Sequence, residues 1–304
     1  MVIRVNIKKI IRPFKVSIIT FFFLSFISTK AQHIFTIIDD DISSVKAIQS
    51  VKQLADQKGI KISFAATVNR MVKHPEIADT LLKYQSEGHH VCNHGWTHSE
   101  KVWKNPFWKD IKQEVTMAKA TLDSLGFKNT DYLVYPFGKY DKNQRDDLEK
   151  NVPSIFRLAF NSRGHFNDLD NFNRFYIERL PVRKFNSLSA VKCHIDDACD
   201  KNGWLVLMNH SGKSRDYSPE FLASIIDYCI EKGMKPVTVD QAYNILKEKG
   251  VIDDDLKSLV QSKDYGFTFE IKDNILLNWH IVLTATAIMT AAALFIKRKR
   301  RKTR

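Results

Sequence analysis

The 304-residue chain has no Cys-x-x-Cys pair, no internal repeat, no low-complexity tract inside its middle region, and no acidic side chain in residues 1–31 or 275–304. Each absence excludes something. Without cysteines at ligand spacing, Cys92, Cys193, Cys199 and Cys229 predict no cysteine-bound metal. If Cys193 and Cys199 share a helix, their Cα atoms lie about 9 Å apart, too far for a disulfide; the pairing of the four stays open. The acid-free ends hold six and seven of the 47 basic residues, so residues 32–274 carry 34 basic against 34 acidic groups. The net charge of +13 therefore belongs to the termini. The interior has no positive surplus to spread over a groove, which excludes nucleic acid as a partner.

The two ends read as targeting segments. In residues 1–31, Lys8, Lys9, Arg12 and Lys15 precede the apolar stretch Val16–Ser28, and Ala31 is a small residue suited to cleavage, the pattern of a secretory signal. An uncleaved anchor is the rival reading. Residues 275–296 form an uncharged run of 22, about 33 Å long as a helix. The basic tail 297–304 follows at once, and such a cluster stays cytoplasmic. The expectation is a soluble domain over 32–249, a stalk over 250–274 and a single membrane span, with the domain outside the cytoplasmic membrane.

Within the domain, short apolar runs alternate with amphipathic stretches. Strands are expected at 33–38, 60–65, 91–92, 132–135, 156–160, 205–208 and 236–239. Helices are expected at 43–57, 75–87, 106–125, 218–232 and 240–249, the third with Asn105 as N-cap and Pro106 at its first position. This alternation predicts an α/β fold with a parallel sheet, open or closed into a barrel. Polar residues cluster just after four of the strands: Asp39–Asp41, then Asn93, His94 and His98, then Pro136–Gly138, then Asn209 and His210. In parallel α/β folds such strand ends surround one site.

His94 and His98 stand four apart, so one helical turn aims both imidazoles at one point. A carboxylate from another strand completes a three-ligand site with open positions. Spacing alone is weak, since most His-x-x-x-His pairs bind nothing. Asp41 reads as a cap for the helix starting at Ser43–Ser44. Trp96 and Trp103 are either a sugar-stacking platform or core; Phe107 reads as core.

These segments together resemble the NodB-homology polysaccharide deacetylases, carbohydrate esterase family 4, over most of residues 33–245. Thr36-Ile37-Ile38-Asp39-Asp40-Asp41 is similar to the first motif, and Gly88 to His98 to the second, the most specific piece. Tyr135-Pro136-Phe137-Gly138-Lys139-Tyr140-Asp141 resembles the form in the poly-N-acetylglucosamine deacetylase-like branch. Leu205 to His210 and Gly233 to Val239 resemble the closing motifs. The resemblance implies a distorted (β/α) barrel of about seven parallel strands. It implies a divalent metal, zinc before cobalt or nickel, on Asp40, His94 and His98. Asp39 would be the general base, His210 the acid, and the Phe137 N–H an oxyanion donor, with Tyr135, Met208 and Trp96 about the substrate. Hydrolytic deacetylation of an N-acetylated polysaccharide (poly-N-acetylglucosamine, chitin-like or peptidoglycan glycan) is expected, with no nucleotide cofactor. A glycan-binding domain without catalysis and an O-acetyl esterase are the alternatives.

The chain also departs from the family pattern. Asp41 stands in place of Gly, Val134 in place of Arg, and the Asp-x-x-x-Trp motif is absent; Arg179 is the expected substitute for orienting Asp39.

Overall fold

The computed structural model describes residues 33–253, Lys139 and Arg163 excepted. The expected signal, the span 275–296, the basic tail and all but the first residues of the stalk lie outside the described residues. Among the described residues, no helix is long and apolar enough to cross a membrane.

Strands and helices alternate along the chain. The first half contains β1 (Ile34–Asp39), α1 (Val45–Gln57), β2 (Ser63–Ala66), α2 (Val68–Lys73), α3 (Pro75–Ser86), β3 (His90–Asn93), α4 (Glu100–Trp103) and α5 (Trp108–Ser124). The second contains β4 (Tyr132–Val134), α6 (Lys142–Asn151), β5 (Leu158–Phe160), β6 (Asn167–Asp168), β7 (Leu180–Pro181), α7 (Leu188–Asp200), β8 (Gly203–Asn209), α8 (Pro219–Glu231), β9 (Lys235–Pro236) and α9 (Val239–Glu248).

The sheet runs β5-β4-β3-β2-β1-β8-β6, with β7 on β8 and β9 on β1. β1 is central and pairs in parallel with β8 from Ile34 opposite Trp204 to Asp39 opposite Asn209. Its other edge is shared, with β9 at Ile34 and Phe35 and β2 at Ile38 and Asp39. The sheet curls on itself, and residues 177–181 form the seam. Ile177 bridges Phe160 of β5, while Leu180 and Pro181 pair with Leu207 and Met208 of β8. Nine strands are described rather than about seven, and β6 runs antiparallel to β8. The extra ones, β6 and β7, are two residues long, too short to show a period.

Side-chain alternation divides the core. Ile34 and Ile38 of β1, Ala65, Cys92, Val134, Phe160, Trp204 and Val206 pack together on the inner face of the curl. Phe35 and Ile37, one residue out of phase, pack under α1, α7 and α8 with Leu205 and Leu207. A third cluster joins Leu133 and Ala159 to Ile111 and Val115 of α5. This two-residue period decides what the residues after each strand can face.

Local chemistry corrects two expectations about helix starts and adds one helix. Ser44, not Asp41, caps α1, its hydroxyl accepting from the Ala47 N–H. α5 begins at Trp108 rather than Pro106, because the Asp147 carboxylate of α6 accepts the Trp108 N–H. That leaves Phe107 38% exposed instead of in the core. The added helix, α6, has no apolar stripe in its sequence and is fixed by a capping box between Asp141 and Gln144. All four cysteines are free thiols, and Cys193 and Cys199 do share α7.

Candidate active site

The three consecutive aspartates point in three directions. Continuing the alternation of β1, Asp39 leaves on the outer side. There Asn209 Nδ2 (2.6 Å), Ser211 N (2.8 Å) and Ser211 Oγ (2.5 Å) all donate to its carboxylate. Burial pushes the Asp39 carboxyl up to about 7 against those three donors. Asp40 faces inward, in phase with Ile34 and Ile38, and its Oδ1 accepts from Arg179 Nη1 at 2.8 Å. Burial alone would raise its pKa; the Arg179 guanidinium, then His94 and His210, outweigh that and leave it below the ordinary carboxylate value. Asp41 has left the sheet altogether, at φ 54°, a backbone region costly for a residue with a side chain.

The histidine pair is not helical. His94 is the first residue past β3, in the inward phase set by Cys92, and residues 94–99 form a loop. Gly95 at φ 74° and His98 at φ 51° turn the chain back. Glu114 of α5 holds that loop: its carboxylate accepts Trp96 N (3.1 Å), Thr97 N (2.8 Å) and Thr97 Oγ1 (2.8 Å). Trp96 is thereby drawn over α5 and packs against the outer core, away from the cleft. Trp103 is fully buried. Neither forms the stacking platform that the sequence left open.

Asp41, His94 and His98 are the residues whose ligand atoms converge, all within 4.8 Å of one another. Asp41 Oδ1 lies 3.4 Å from His94 Nε2 and 3.1 Å from His98 Nε2. Bonds of about 2.1 Å at angles from 90° to tetrahedral would place ligand atoms about 3.0–3.4 Å apart, so both carboxylate–imidazole spacings suit a divalent cation. His94 Nδ1 is 2.8 Å from the Val134 carbonyl, an arrangement that puts the proton on Nδ1 and turns the Nε2 lone pair to the site. Burial, reinforced by His94, pushes His98 down to about 4, which keeps it neutral and able to ligate. For Asp41 too burial opposes ionisation, but His94, His98 and Lys213 hold its carboxyl well below the ordinary range. The expected trio is thus displaced by one residue: Asp40 is engaged by Arg179, and Asp41 occupies the carboxylate position. Arg179 serves Asp40 rather than Asp39.

Around these groups lies a cleft of about 190 Å³. His210, inward after Met208, lines it with Nε2 3.7 Å from Asp41 Oδ2. Its pKa is lowered by burial and partly restored by Asp40 and Asp41. Lys213 donates to the same Asp41 oxygen. Tyr135, Met208 and Phe137 also line the cleft. Phe137 sits at φ 63° and its ring is 4.7 Å from that of His98. Its carbonyl accepts from Ser162 Oγ, and the next residue, Gly138, presses against Ser162. The Phe137 turn is therefore held by Ser162, itself part of the cleft wall.

The model of the polysaccharide deacetylase family matches residues 27–151, the stretch that holds all three aspartates, both loop histidines and the Phe137 turn. Over those residues the chain is similar to the polysaccharide deacetylase family. It is accordingly an enzyme of the hydrolase class.

Solved structures agree on the fold. A family 4 acetyl xylan esterase from Clostridium thermocellum, in complex with a cobalt ion, is 15% identical with a TM-score of 0.51; the match covers 72% of this chain and 93% of that one. The Bc1960 peptidoglycan N-acetylglucosamine deacetylase is 16% identical with a TM-score of 0.50, covering 69% of this chain and 87% of that one. No curated protein matches the chain. Sequence reasoning missed Glu114, Ser211 and Asn161. Glu114 lies sixteen residues beyond His98 on a helix face with no motif of its own, and nothing in the sequence signals it.

Proposed function

We propose that the chain hydrolyses the acetamide of an N-acetylated polysaccharide, in a site where Asp40 is the general base and Asp41, His94 and His98 hold a divalent cation, zinc first among the choices. The observation that carries this reading is the adjacency of two differently equipped carboxylates. Asp40 is kept ionised by a buried guanidinium, and Asp41 converges with two imidazoles.

The cation, when bound, would supply Lewis acidity that lowers the pKa of water from near 15.7 toward about 7. The chain's own groups do the rest. Asp40 takes a proton from the attacking water; its pKa, held down by Arg179, keeps it unprotonated at neutral pH. The carbonyl oxygen becomes an oxyanion, and the Phe137 N–H, on a turn held by Ser162, donates to it. An amine is a poor leaving group until protonated. His210 is the group that delivers that proton, and the Asp41 carboxylate beside it favours the imidazolium. Met208 and Tyr135 form the apolar wall that receives the acetyl methyl.

On the sequence signals at its two ends, we place this activity outside the cytoplasmic membrane, with the C-terminal run as tether. The test is acetate release from N-acetylglucosamine oligomers by the full chain, with zinc or cobalt supplied and then chelated. Release that depends on the added metal is expected; no release from any N-acetylated glycan would overturn the reading. Faster release from acetyl-xylan than from N-acetylglucosamine oligomers would choose the esterase reading instead.

A further inference from the structure

Three cationic side chains line the cleft, Arg179, Arg183 and Lys213, against two carboxylates, Asp40 and Asp41. Two of the cations are paired within it, Arg179 with Asp40 and Lys213 with Asp41. Arg183 is the third, and among the described residues it has no carboxylate partner. Its Nε is buried with no hydrogen-bond partner. A buried N–H left unsatisfied is costly, and the cost is removed when an acceptor arrives.

The backbone beneath Arg183 is fixed rather than loose. Its N–H donates to Asn186 Oδ1 (2.7 Å) and its carbonyl accepts from Asn186 N (2.8 Å). The next residue is strapped to the loop after His210, with Lys184 N donating to the Asp216 carbonyl and Lys184 Nζ to that of Ser214. Beside the guanidinium, 5.7 Å from its carbon, lies the ring of Phe185, 64% exposed. A preorganised cation next to an exposed aromatic face matches a sugar that stacks on the ring and carries an anionic group.

We propose that Arg183 selects substrate: it binds a carboxylate on the glycan next to the sugar being deacetylated, with Phe185 supporting the ring that bears it. This rests on the deacetylase reading above and narrows the polymer to acidic glycans, such as strands whose alternate sugars carry a lactyl ether, over neutral ones.

The experiment is calorimetric binding to the full chain of three oligosaccharides: plain N-acetylglucosamine oligomers, oligomers with lactyl carboxylates, and the same with each carboxylate amidated. The acid form should bind about ten-fold tighter than the amide, as one charge-assisted contact supplies, and the gap should narrow with added salt. Arg183→Gln should erase the gap while leaving neutral oligomers unaffected; Arg183→Lys should keep part of it. Equal binding of acid and amide, or an equal loss on all three in Arg183→Gln, overturns the proposal. Acetate release measured in parallel separates the two readings. A binding gap without release sinks the deacetylase function alone, whereas release without a gap sinks the role of Arg183 alone.

Discussion

Arg179 Nη1 lies 2.8 Å from Asp40 Oδ1, and both side chains are almost wholly buried, at 0% and 2% exposure. The pair joins the seam segment to the end of the central strand. The same guanidinium also donates through Nε to the Asn161 carbonyl, so Arg179 ties β1, the seam and the residue after β5 to one point. Stripping one partner from such a pair leaves a buried charge unpaired. Arg179→Met should lower unfolding free energy by about 3–5 kcal/mol in denaturant titration. The double variant Arg179→Met, Asp40→Asn should recover part of that loss, because no lone carboxylate remains. Strictly additive losses would show that the two side chains do not act as a pair.

The direction each aspartate faces gives a sharper contrast. Asp40→Asn should reduce turnover about 10²–10⁴-fold, the range for loss of a general base, while leaving bound metal per chain unchanged. Asp41→Asn should lose metal and activity together. Asp39→Asn keeps an acceptor for Ser211 N and Asn209 and sits outside the cleft, so its turnover should stay within about ten-fold of the native value. Loss of activity in Asp39→Asn with retention in Asp40→Asn would return the base to the position first expected from the motif.

That first expectation shows what the sequence could and could not deliver. The apolar run ending in aspartates, the two histidines, the Phe137 turn and His210 were all legible, because strand ends of a parallel sheet must meet. Choosing among Asp39, Asp40 and Asp41 needed the phase of β1, and phase was readable in principle. Ile34 and Ile38 share a face, so Asp40 shares it too and Asp39 cannot. The loop carrying His98 was not legible at all: a helix and a tight loop both bring residues four apart together, and only Gly95 hinted at the turn. Arg179 was found as a residue, but its partner depended on a seam whose two-residue strand shows no pattern.

Among the described residues Glu114 forms no hydrogen bond with the converging trio, yet it accepts three from the loop between His94 and His98. Supporting groups of this kind typically tune metal affinity by 10–100-fold. Glu114→Ala should weaken zinc binding by about that factor in a chelator competition. Glu114→Gln, which keeps one acceptor, should fall between. Unchanged affinity in Glu114→Ala would mean that the Gly95 and His98 turns hold the loop unaided.

Gly138 offers a test of the Phe137 turn that touches no reacting group. Its φ of 58° is left-handed, and an added Cβ would lie 2.5 Å from Ser162 N and 2.9 Å from Ser162 Oγ. One neighbour is backbone and cannot swing aside, so the turn itself must move. Gly138→Ala should therefore cost about 2–4 kcal/mol, combining left-handed strain with overpacking. It should also lower kcat more than it raises KM, because the Phe137 N–H is needed most when the oxyanion forms. Gly59 is the control: its φ of 65° is equally left-handed, but nothing lies within 4 Å of the added carbon. Gly59→Ala should cost only the strain, about 1–2 kcal/mol, with kinetics unchanged. If Gly138→Ala loses stability no more than Gly59→Ala and turns over at the native rate, the Ser162 contact does not set the turn and the oxyanion donor must be sought elsewhere in the cleft.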